Sequence, residues 1–306
     1  MNIVLAVDGP LDVRATLARY HRWGEDPANR LAGDAFLRVL RLNGRLVPYA
    51  VRWSGDVEDV RLRVRISGTR ATRIAEAVLR EVRLIFGLGF DLSAFYRFAK
   101  ADPALDGLVQ PLYGLRPSLS ASGLEMLVGS ITAQQVNLAF AVSLRARVVR
   151  RYGRPIRTDG ETVYAFPDAA TLGRARVRDL RAMKFSTRKA EYVRDVARAV
   201  AAGTLDFASL ATKPNGQVID ALTAQRGLGR WSAEWFLARC LGRGDICPAG
   251  DLAVRKAFDH YYGRGRRLSD AAIRRRARRW GAHQNLAVHY LLAGMRIGRA
   301  ATARET

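Results

Sequence analysis

The chain has 306 residues, with 51 lysines and arginines against 28 aspartates and glutamates, which gives a formal net charge of +23 at pH 7. This length suits two domains with apolar cores, and the charge favours a polyanionic partner such as DNA, RNA or an anionic membrane surface. Two cysteines are too few for a four-thiolate zinc site or iron–sulfur cluster. No apolar run reaches the roughly 20 residues of a membrane-spanning helix, and the N-terminus does not resemble a signal peptide.

The first hundred residues combine strand and helix patterns. Polar residues alternate with β-branched or aromatic ones, as in half-buried strands, over 36–42, 47–53 and 60–66. Asn43-Gly44 and Ser54-Gly55 supply turns between these segments. Apolar residues at three-to-four spacing predict an amphipathic helix over 71–86. We therefore expect a small antiparallel sheet with one or two covering helices.

Prolines and glycines interrupt the pattern between residues 101 and 117, and we place a domain boundary there. Beyond the boundary the patterns are helical, over 126–152, 187–202, 218–224, 231–241, 271–280 and 283–297. We predict an N-terminal α/β domain over 1–110, a helical domain over 111–300 and a frayed tail over 301–306. The expected fold class is α+β, mostly helical, with a small antiparallel sheet at the N-terminus.

A short glycine-containing turn, Gly227-Leu228-Gly229, lies between two of the predicted helices. Glycines tolerate positive φ and allow a phosphate to approach the backbone. The N–H groups at the start of the second helix point outward with the positive end of the helix dipole. The alternative is an ordinary tight linker between helices. The flanking Arg226 and Arg230 favour phosphate binding.

Trp231 and Trp235 follow the turn and lie on one face of a helix, because they are four residues apart. Packing in a core is the commoner role of such a pair, and a wall for a stacked nucleobase is the functional alternative. Residues 132–137 include two glutamines and an asparagine within the apolar stretch 127–149, which indicates a surface that touches a partner. The arginine-rich run 274–279 adds positive potential.

Asp251 follows Pro248-Ala249-Gly250 and opens a predicted helix. An aspartate before an apolar helix is first of all an N-cap, accepting hydrogen bonds from backbone N–H groups. Its position about twenty residues after a phosphate-binding turn, in a basic chain, indicates instead chemistry on nucleic acid. Taken alone, the residue favours the cap.

Two segments, 226–233 and 248–252, together resemble the helix-hairpin-helix motif and the Gly/Pro-rich loop with aspartate of the DNA glycosylase superfamily. Residues 130–137 resemble the superfamily's segment ending in Gln-Gln-Val/Ile-Ser. The layout of the whole chain is similar to the DNA-3-methyladenine glycosylase II family of bacteria. The resemblance covers nearly the entire chain and is most specific over 225–258.

The chain departs from the superfamily's pattern at several positions. Arg226 stands where proline is usual, Ser232 where threonine is common, and Asn137 where serine is common. Bifunctional members carry a catalytic lysine at the position of Trp231, and without its amine a Schiff base cannot form. The resemblance therefore implies a monofunctional enzyme, and the missing cysteine quartet argues against the iron–sulfur branches.

The resemblance also implies a role for each site residue. Asp251 would stabilise an oxocarbenium-like sugar and orient water at C1′. Trp231 and Trp235 would wall the base pocket, and Gln135 would fill or abut the vacated stack after base flipping. The expected DNA contacts are Gln134, Gln135, Arg226, Gly227, Leu228, Gly229 and Arg230. Glu234, the nearest second carboxylate, is expected on the helix surface without a catalytic role.

We therefore expect a monomeric glycosylase that flips and hydrolyses alkylated purines, of the 3-methyladenine and 7-methylguanine type, in damaged double-stranded DNA of the bacterial cytoplasm and nucleoid. No metal or cofactor is implied, apart from a structural monovalent cation at the hairpin when DNA is bound. One alternative is a sister glycosylase for a deaminated or oxidised base. The other is a non-catalytic helix-hairpin-helix DNA-binding protein, in which the carboxylate of Asp251 would be consumed by its own helix.

Overall fold

Alternating polar and apolar residues form an antiparallel sheet in the first part of the chain. The computed structural model describes residues 1–302, with side chains described as far as residue 297. The sheet has the order β1-β5-β4-β3-β2 and comprises β1 (Asn2–Ala6), β2 (Asn29–Ala32), β3 (Ala35–Leu42), β4 (Arg45–Ser54) and β5 (Arg61–Ile66). The predicted sheet is confirmed, although β1 and β2 were not predicted.

Helices α1 (Val13–Leu17) and α2 (Thr72–Ile85) accompany the sheet. The apolar face of α2, which includes Val78 and Val82, packs into a core with Phe36 and Val64 of the strands. The amphipathic pattern predicted this packing, because residues three and four apart share one helix face.

The remainder of the chain is mostly helical. Its elements are α3 (Leu92–Ala99), α4 (Pro103–Val109), α5 (Gly123–Ala133), α6 (Leu138–Tyr152), β6 (Arg154–Thr158), β7 (Glu161–Ala165), α7 (Ala169–Gly173), α8 (Val177–Ala182), α9 (Thr187–Ala201), α10 (Phe207–Thr212), α11 (Asn215–Thr223), α12 (Arg230–Arg239), α13 (Leu252–Tyr262), α14 (Asp270–Arg278) and α15 (Gln284–Thr302). The predicted α+β class is confirmed.

The apolar cores show which helices pack together. Helices α3 and α4 lie in one core with α13, α14 and α15, where Phe95 and Leu105 join Phe258 and Leu291. They do not share the core of the sheet. The domain bounds 1–110 and 111–300 stay a prediction.

The helix predicted over 126–152 is two helices, α5 and α6, separated by a turn of residues 134–137. We call these four residues the α5–α6 turn. Gln135 adopts the left-handed region, with φ of 54°, and Asn137 caps α6 by accepting a hydrogen bond from the Phe140 N–H at 2.8 Å. The apolar periodicity runs through this break, which is why the sequence did not reveal it.

A network of buried charges fixes α5 and α6 against the sheet. Glu125 of α5 accepts hydrogen bonds from Arg38 of β3, from Arg145 of α6 and from Asn29 of β2. Its side chain is 4% exposed. Burial alone would raise the pKa of Glu125, but the two arginines outweigh burial and lower it to about 2. Glu125 therefore ties the start of α5 to the sheet and to α6.

The C-terminal helix α15 continues to Thr302, so the first two residues of the predicted frayed tail are helical. Residues 303–306 lie outside the described part of the chain. None of the helices within residues 1–302 combines the length and apolar character needed to cross a membrane.

Candidate active site

The turn between α11 and α12, residues 224–229, has the geometry of an anion-binding hairpin, and we call it the hairpin. Gly227 has φ of 90°, and a Cβ there would lie 2.2 Å from the ring of Tyr192 on α9. Leu228 is buried and anchors the turn in the core. Gly229 is exposed, caps α12 without a side-chain hydrogen bond, and would have open space around a Cβ. The first N–H groups of α12 therefore face solvent, where a phosphate can bind them.

Asp251 caps α13 and also faces the two tryptophans. Its Oδ1 accepts hydrogen bonds from the backbone N–H groups of Ala253 at 2.8 Å and Val254 at 3.1 Å. Its Oδ2 accepts from the indole Nε1 of Trp231 at 2.7 Å and of Trp235 at 3.1 Å. One carboxylate oxygen thus serves the helix, while the other is held by side chains of α12. The residue as a whole is half-buried.

Trp231 and Trp235 are both half-buried on α12, one turn apart. Trp235 packs at the junction of the two helical cores, while the indole N–H edges of both residues converge on a single oxygen of Asp251. The structure therefore brings together the three residues that we predicted for catalysis and the base pocket.

No cation neutralises Asp251. Within the described residues, no lysine, arginine or histidine side chain forms an ion pair with it. Its hydrogen-bond donors are backbone amides and indoles, which are neutral groups. The carboxylate therefore keeps a full negative charge that can act on a positive centre placed beside it.

Glu234 is not on the helix surface, and that prediction was wrong. Its side chain is 1% exposed and pairs with two arginines. Arg230 donates to it through Nε at 2.9 Å, and Arg274 of α14 donates through Nη1 at 2.5 Å and Nη2 at 3.2 Å. Helix α14 covers this face of α12, which the sequence of α12 alone did not show. Glu234 thus fixes α14 and Arg230, and its charge is compensated.

A buried arginine lies under Trp235. The guanidinium carbon of Arg239 is 5.1 Å from the centre of the Trp235 ring, and its N–H groups donate to Asn285 and to Nδ1 of His289. Burial, together with a smaller contribution from nearby arginines, lowers the pKa of Arg239 to about 9. Burial also lowers the pKa of His289 well below its ordinary value, so this imidazole is a neutral acceptor. The guanidinium covers one face of the indole, so a stacked base would use the other.

The α5–α6 turn touches the hairpin directly. Gln134 ends α5, and its Nε2 donates to the carbonyl of Gly227 at 2.8 Å. Gln135 is exposed, and its positive φ takes the backbone out of the right-handed helical conformation. Lys189 of α9 donates through Nζ to the carbonyl of Thr132 at 3.0 Å. The two glutamines therefore differ, since one is bonded to the protein and the other faces solvent.

The two arginines beside the hairpin are partly engaged with the protein. Arg226 donates to Glu191 at 2.6 Å and lies over the ring of Tyr192, yet its side chain is 61% exposed. Arg230 is similarly exposed while Nε is bonded to Glu234. Each arginine therefore has a structural contact that the sequence did not reveal, and its contact with a phosphate stays a prediction.

Sequence reasoning missed Lys189, Tyr192 and Arg239. Arg239 left a signal, because it stands four residues after Trp235, within the otherwise apolar run Phe236–Leu241. Lys189 and Tyr192 left none, since they belong to a different helix and reach the site only through the packing of α9 against α5 and the hairpin.

The chain matches known proteins over this same region. A family model described as HhH-GPD superfamily base excision DNA repair protein matches residues 128–283. The DNA-3-methyladenine glycosylase of Bacillus subtilis (strain 168) is 31% identical over 216 residues, which cover 71% of this chain and 71% of that protein. DNA-3-methyladenine glycosylase 2 of Escherichia coli (strain K12) is 27% identical over 238 residues, covering 77% of this chain and 78% of that protein.

A solved structure extends the similarity to the whole fold. The 3-methyladenine DNA glycosylase from Archaeoglobus fulgidus superposes with a TM-score of 0.84 at 26% identity, over 96% of this chain and 98% of that chain. The family match spans half of the chain and contains the α5–α6 turn, the hairpin and Asp251. The resemblance noted in the sequence is therefore confirmed, and this protein belongs to the HhH-GPD superfamily of base excision DNA repair proteins.

Proposed function

We propose that this protein is a monofunctional DNA glycosylase that releases alkylated purines, of the 3-methyladenine and 7-methylguanine type, from double-stranded DNA. The observation that carries the proposal is the position of Asp251: an uncompensated carboxylate, beside the hairpin, whose outer oxygen meets the edges of two tryptophans. The three relatives described above are each named 3-methyladenine DNA glycosylase, and these names support the substrate class. They favour it over a deaminated or oxidised base and over a non-catalytic binding protein.

The first step is binding and base flipping. A phosphate of the damaged strand binds the exposed N–H groups at the start of α12, with Arg226 and Arg230 adding positive charge. A base inside a duplex cannot reach Asp251, so the nucleotide rotates out at a cost of a few kcal/mol. Gln135, exposed next to the hairpin, occupies the space that the base leaves.

The second step is cleavage of the N-glycosidic bond. An alkylated purine is cationic, so it stacks favourably on the indoles and leaves readily as a neutral base. As the bond between C1′ and the base nitrogen breaks, its electron pair goes to the base and positive charge develops on the sugar. The carboxylate of Asp251 stabilises this charge. Water then adds to C1′ and gives up a proton, which yields an abasic site and free base.

The same geometry accounts for an intact product strand. Strand cleavage by a bifunctional glycosylase needs an amine that forms a Schiff base with C1′. Trp231 occupies the position where that lysine would stand, and its indole nitrogen donates to Asp251. We therefore propose that the abasic strand is released uncut.

We further propose that the enzyme acts as a monomer, and that binding of chromosomal DNA would place it at the nucleoid. A monovalent cation at the hairpin would need carbonyl ligands. Gln225 and Gly227 each accept one hydrogen bond, from the Leu228 N–H and from Gln134, and retain a second lone pair. These carbonyls fit such an ion, which would add positive charge beside the phosphate. No chemical step above depends on it.

The proposal is tested by measuring base release from a panel of duplexes, each with one 7-methylguanine, 3-methyladenine, hypoxanthine, uracil or 8-oxoguanine. We expect the alkylated purines to be released fastest. The strand should stay intact until alkali is added, and borohydride should trap no covalent complex. The Asp251→Asn variant is the control for contaminating activity.

The alternatives give different results on the same panel. Preferred release of uracil or hypoxanthine would identify a glycosylase for deaminated bases. A borohydride-trapped complex would contradict the monofunctional assignment. Tight binding of all duplexes without release of any base would identify a non-catalytic DNA-binding protein.

A further inference from the structure

The α5–α6 turn and the hairpin are joined by hydrogen bonds between residues far apart in the sequence. Gln134 donates to the carbonyl of Gly227 at 2.8 Å, across 93 positions. One turn earlier on α5, the Ser130 hydroxyl donates to the Ser232 hydroxyl at 2.8 Å, and both serines are buried. The end of α5 is thus attached both to the hairpin and to the first turn of α12.

Helix α9 closes this unit on a third side. Lys189 donates to the carbonyl of Thr132 in the last turn of α5. Three residues further along α9, the ring of Tyr192 packs directly against Gly227. The hairpin, the α5–α6 turn and this part of α9 therefore form one continuous set of contacts.

We propose that Gln134 is a positioning residue that couples phosphate binding at the hairpin to insertion of Gln135 into the duplex. This inference rests on the proposed function. The carbonyl of Gly227 accepts the bond from Gln134, and helix α12, whose first N–H groups are proposed to bind the phosphate, begins three residues later at Arg230. Gln135, whose side chain is proposed to enter the duplex, directly follows Gln134 in the chain.

The physical reason lies in the cost of base flipping. Opening a matched pair costs a few kcal/mol, and phosphate contacts supply binding energy without distorting the base pair themselves. That energy is used for flipping only when the inserted side chain is held at a fixed position relative to the phosphate site. A turn that moved freely would have to be ordered at each binding event, at a cost in conformational entropy. Gln135 has an unfavourable positive φ, so its position needs such support.

Gln134 also ends α5, but that role does not need its side-chain amide. Its backbone is extended, with φ of −60° and ψ of 125°, a conformation that other residues adopt readily. Replacement of the amide should therefore spare the helix and remove only the bond to Gly227.

The test uses variants that differ in the hydrogen-bond donor. Gln134→Met and Gln134→Glu have similar length without an N–H donor, whereas Gln134→Lys keeps a donor with enough reach. Gln217→Met is the matched control, because Gln217 is an exposed glutamine of α11 that makes no side-chain hydrogen bond within the described residues. Single-turnover excision is measured for 7-methylguanine paired with cytosine and for the same base in a mismatch with thymine, which is easier to open.

We expect Gln134→Met and Gln134→Glu to slow excision from the matched pair about tenfold, a coupling of ordinary size. Excision from the mismatch should fall no more than about twofold to threefold, because less work is needed to open it. Gln134→Lys should restore most of the matched-pair rate, and Gln217→Met should behave as wild type. Fluorescence of 2-aminopurine beside the lesion should report slower flipping in the two donor-free variants.

Equal slowing on both substrates would overturn the proposal and indicate a general structural role. If Gln134→Met fails to fold, as judged by thermal unfolding, the comparison of Gln134→Glu with Gln134→Lys carries the same test. Failure of the proposed function would look different, since the wild-type protein would then release 7-methylguanine from neither substrate.

A double-mutant cycle measures the coupling directly. In the wild-type background, Gln135→Ala should slow matched-pair excision about tenfold. In the Gln134→Met background the same change should slow it less than about threefold, because an insertion that is no longer positioned contributes little. Effects that multiply independently would contradict the coupling.

Discussion

Two carboxylates in this protein are held by opposite kinds of partner. Glu125, between the sheet and the helices, accepts hydrogen bonds from the guanidinium groups of Arg38 and Arg145. Asp251, beside the hairpin, accepts hydrogen bonds only from backbone amides and from the indoles of Trp231 and Trp235. Both carboxylates accept hydrogen bonds on each of their two oxygens. Of the two, Glu125 is the one whose negative charge is compensated by positively charged side chains.

The difference separates a structural carboxylate from one that can do chemistry. Positive partners stabilise the charge of Glu125 and leave nothing for a further cation. Neutral donors orient Asp251 without cancelling its charge, so it can stabilise a positive sugar. Glu234 supports this distinction, because it lies on the same helix as the two tryptophans and is nevertheless occupied by Arg230 and Arg274. A carboxylate that lies close to the site is therefore not necessarily available for chemistry, because its charge can already be compensated.

The largest effect is expected for Asp251→Asn. An amide oxygen can still cap α13, so the helix and the fold should be retained, but the negative charge is lost and the amide NH2 cannot accept the two indole N–H bonds. Base release from alkylated duplex DNA should fall at least about 100-fold, while DNA binding, measured by fluorescence anisotropy, persists. More than a few per cent of wild-type activity in the variant would refute the catalytic assignment.

The sequence predicted the parts of this site that are continuous in the chain. The glycine turn, the tryptophan pair four residues apart and the capping position of Asp251 follow from local rules, and the structure places them as a group. The three central strands and α2 likewise followed from their periodicity. Local rules did not show that both indoles meet a single oxygen, since this depends on how α12 and α13 pack.

The features that sequence reasoning missed depend on contacts between distant segments. Glu234 was placed on the surface because helix α14, which buries it, is forty residues away in the chain. The break between α5 and α6 was missed because apolar residues continue on both sides of the α5–α6 turn. The packing of α3 with α13–α15 was missed because proline and glycine content marks loops but does not show which core the adjacent helices join.

For Glu125→Gln we expect a loss of stability with little change in the rate of excision. Two buried arginines would lose the charge that compensates them, and the free energy of unfolding should fall by about 3 kcal/mol. Urea unfolding measures this loss. Excision by the folded protein, assayed well below its melting temperature, should stay near the wild-type rate. Glu161→Gln is the control, because Glu161 forms a partly exposed pair with Arg30, far less buried than Glu125, and should cost less than about 1 kcal/mol.

If Glu125→Gln abolished excision without loss of stability, the distinction between the two carboxylates would fail. A stability change no larger than that of Glu161→Gln would show instead that the buried arginines do not depend on the charge of Glu125.

A smaller effect is expected from pH. The pKa of Glu125 is about 2 in the folded protein, below its ordinary value of 4.5, because the two arginines favour its charged form. Its contribution to stability is therefore complete above about pH 4.5 and is lost as the pH falls towards 2. The difference in unfolding free energy between wild type and Glu125→Gln should shrink over this window. A constant difference from pH 6 to pH 2.5 would contradict the assigned ion pairs.

The smallest effect concerns the neutral donors of Asp251. Trp231→Phe and Trp235→Phe each keep an aromatic ring for stacking but remove one N–H bond to Oδ2. A hydrogen bond to a charged group contributes about 1.5 kcal/mol or more, so each change should lower the single-turnover rate about tenfold. The affinity for damaged DNA should change much less, because the ring remains. Trp53→Phe, in strand β4 of the sheet, is the matched control. Equal loss of affinity and rate would show that the rings act only by stacking, and an unchanged rate would show that the backbone cap alone is enough to orient Asp251.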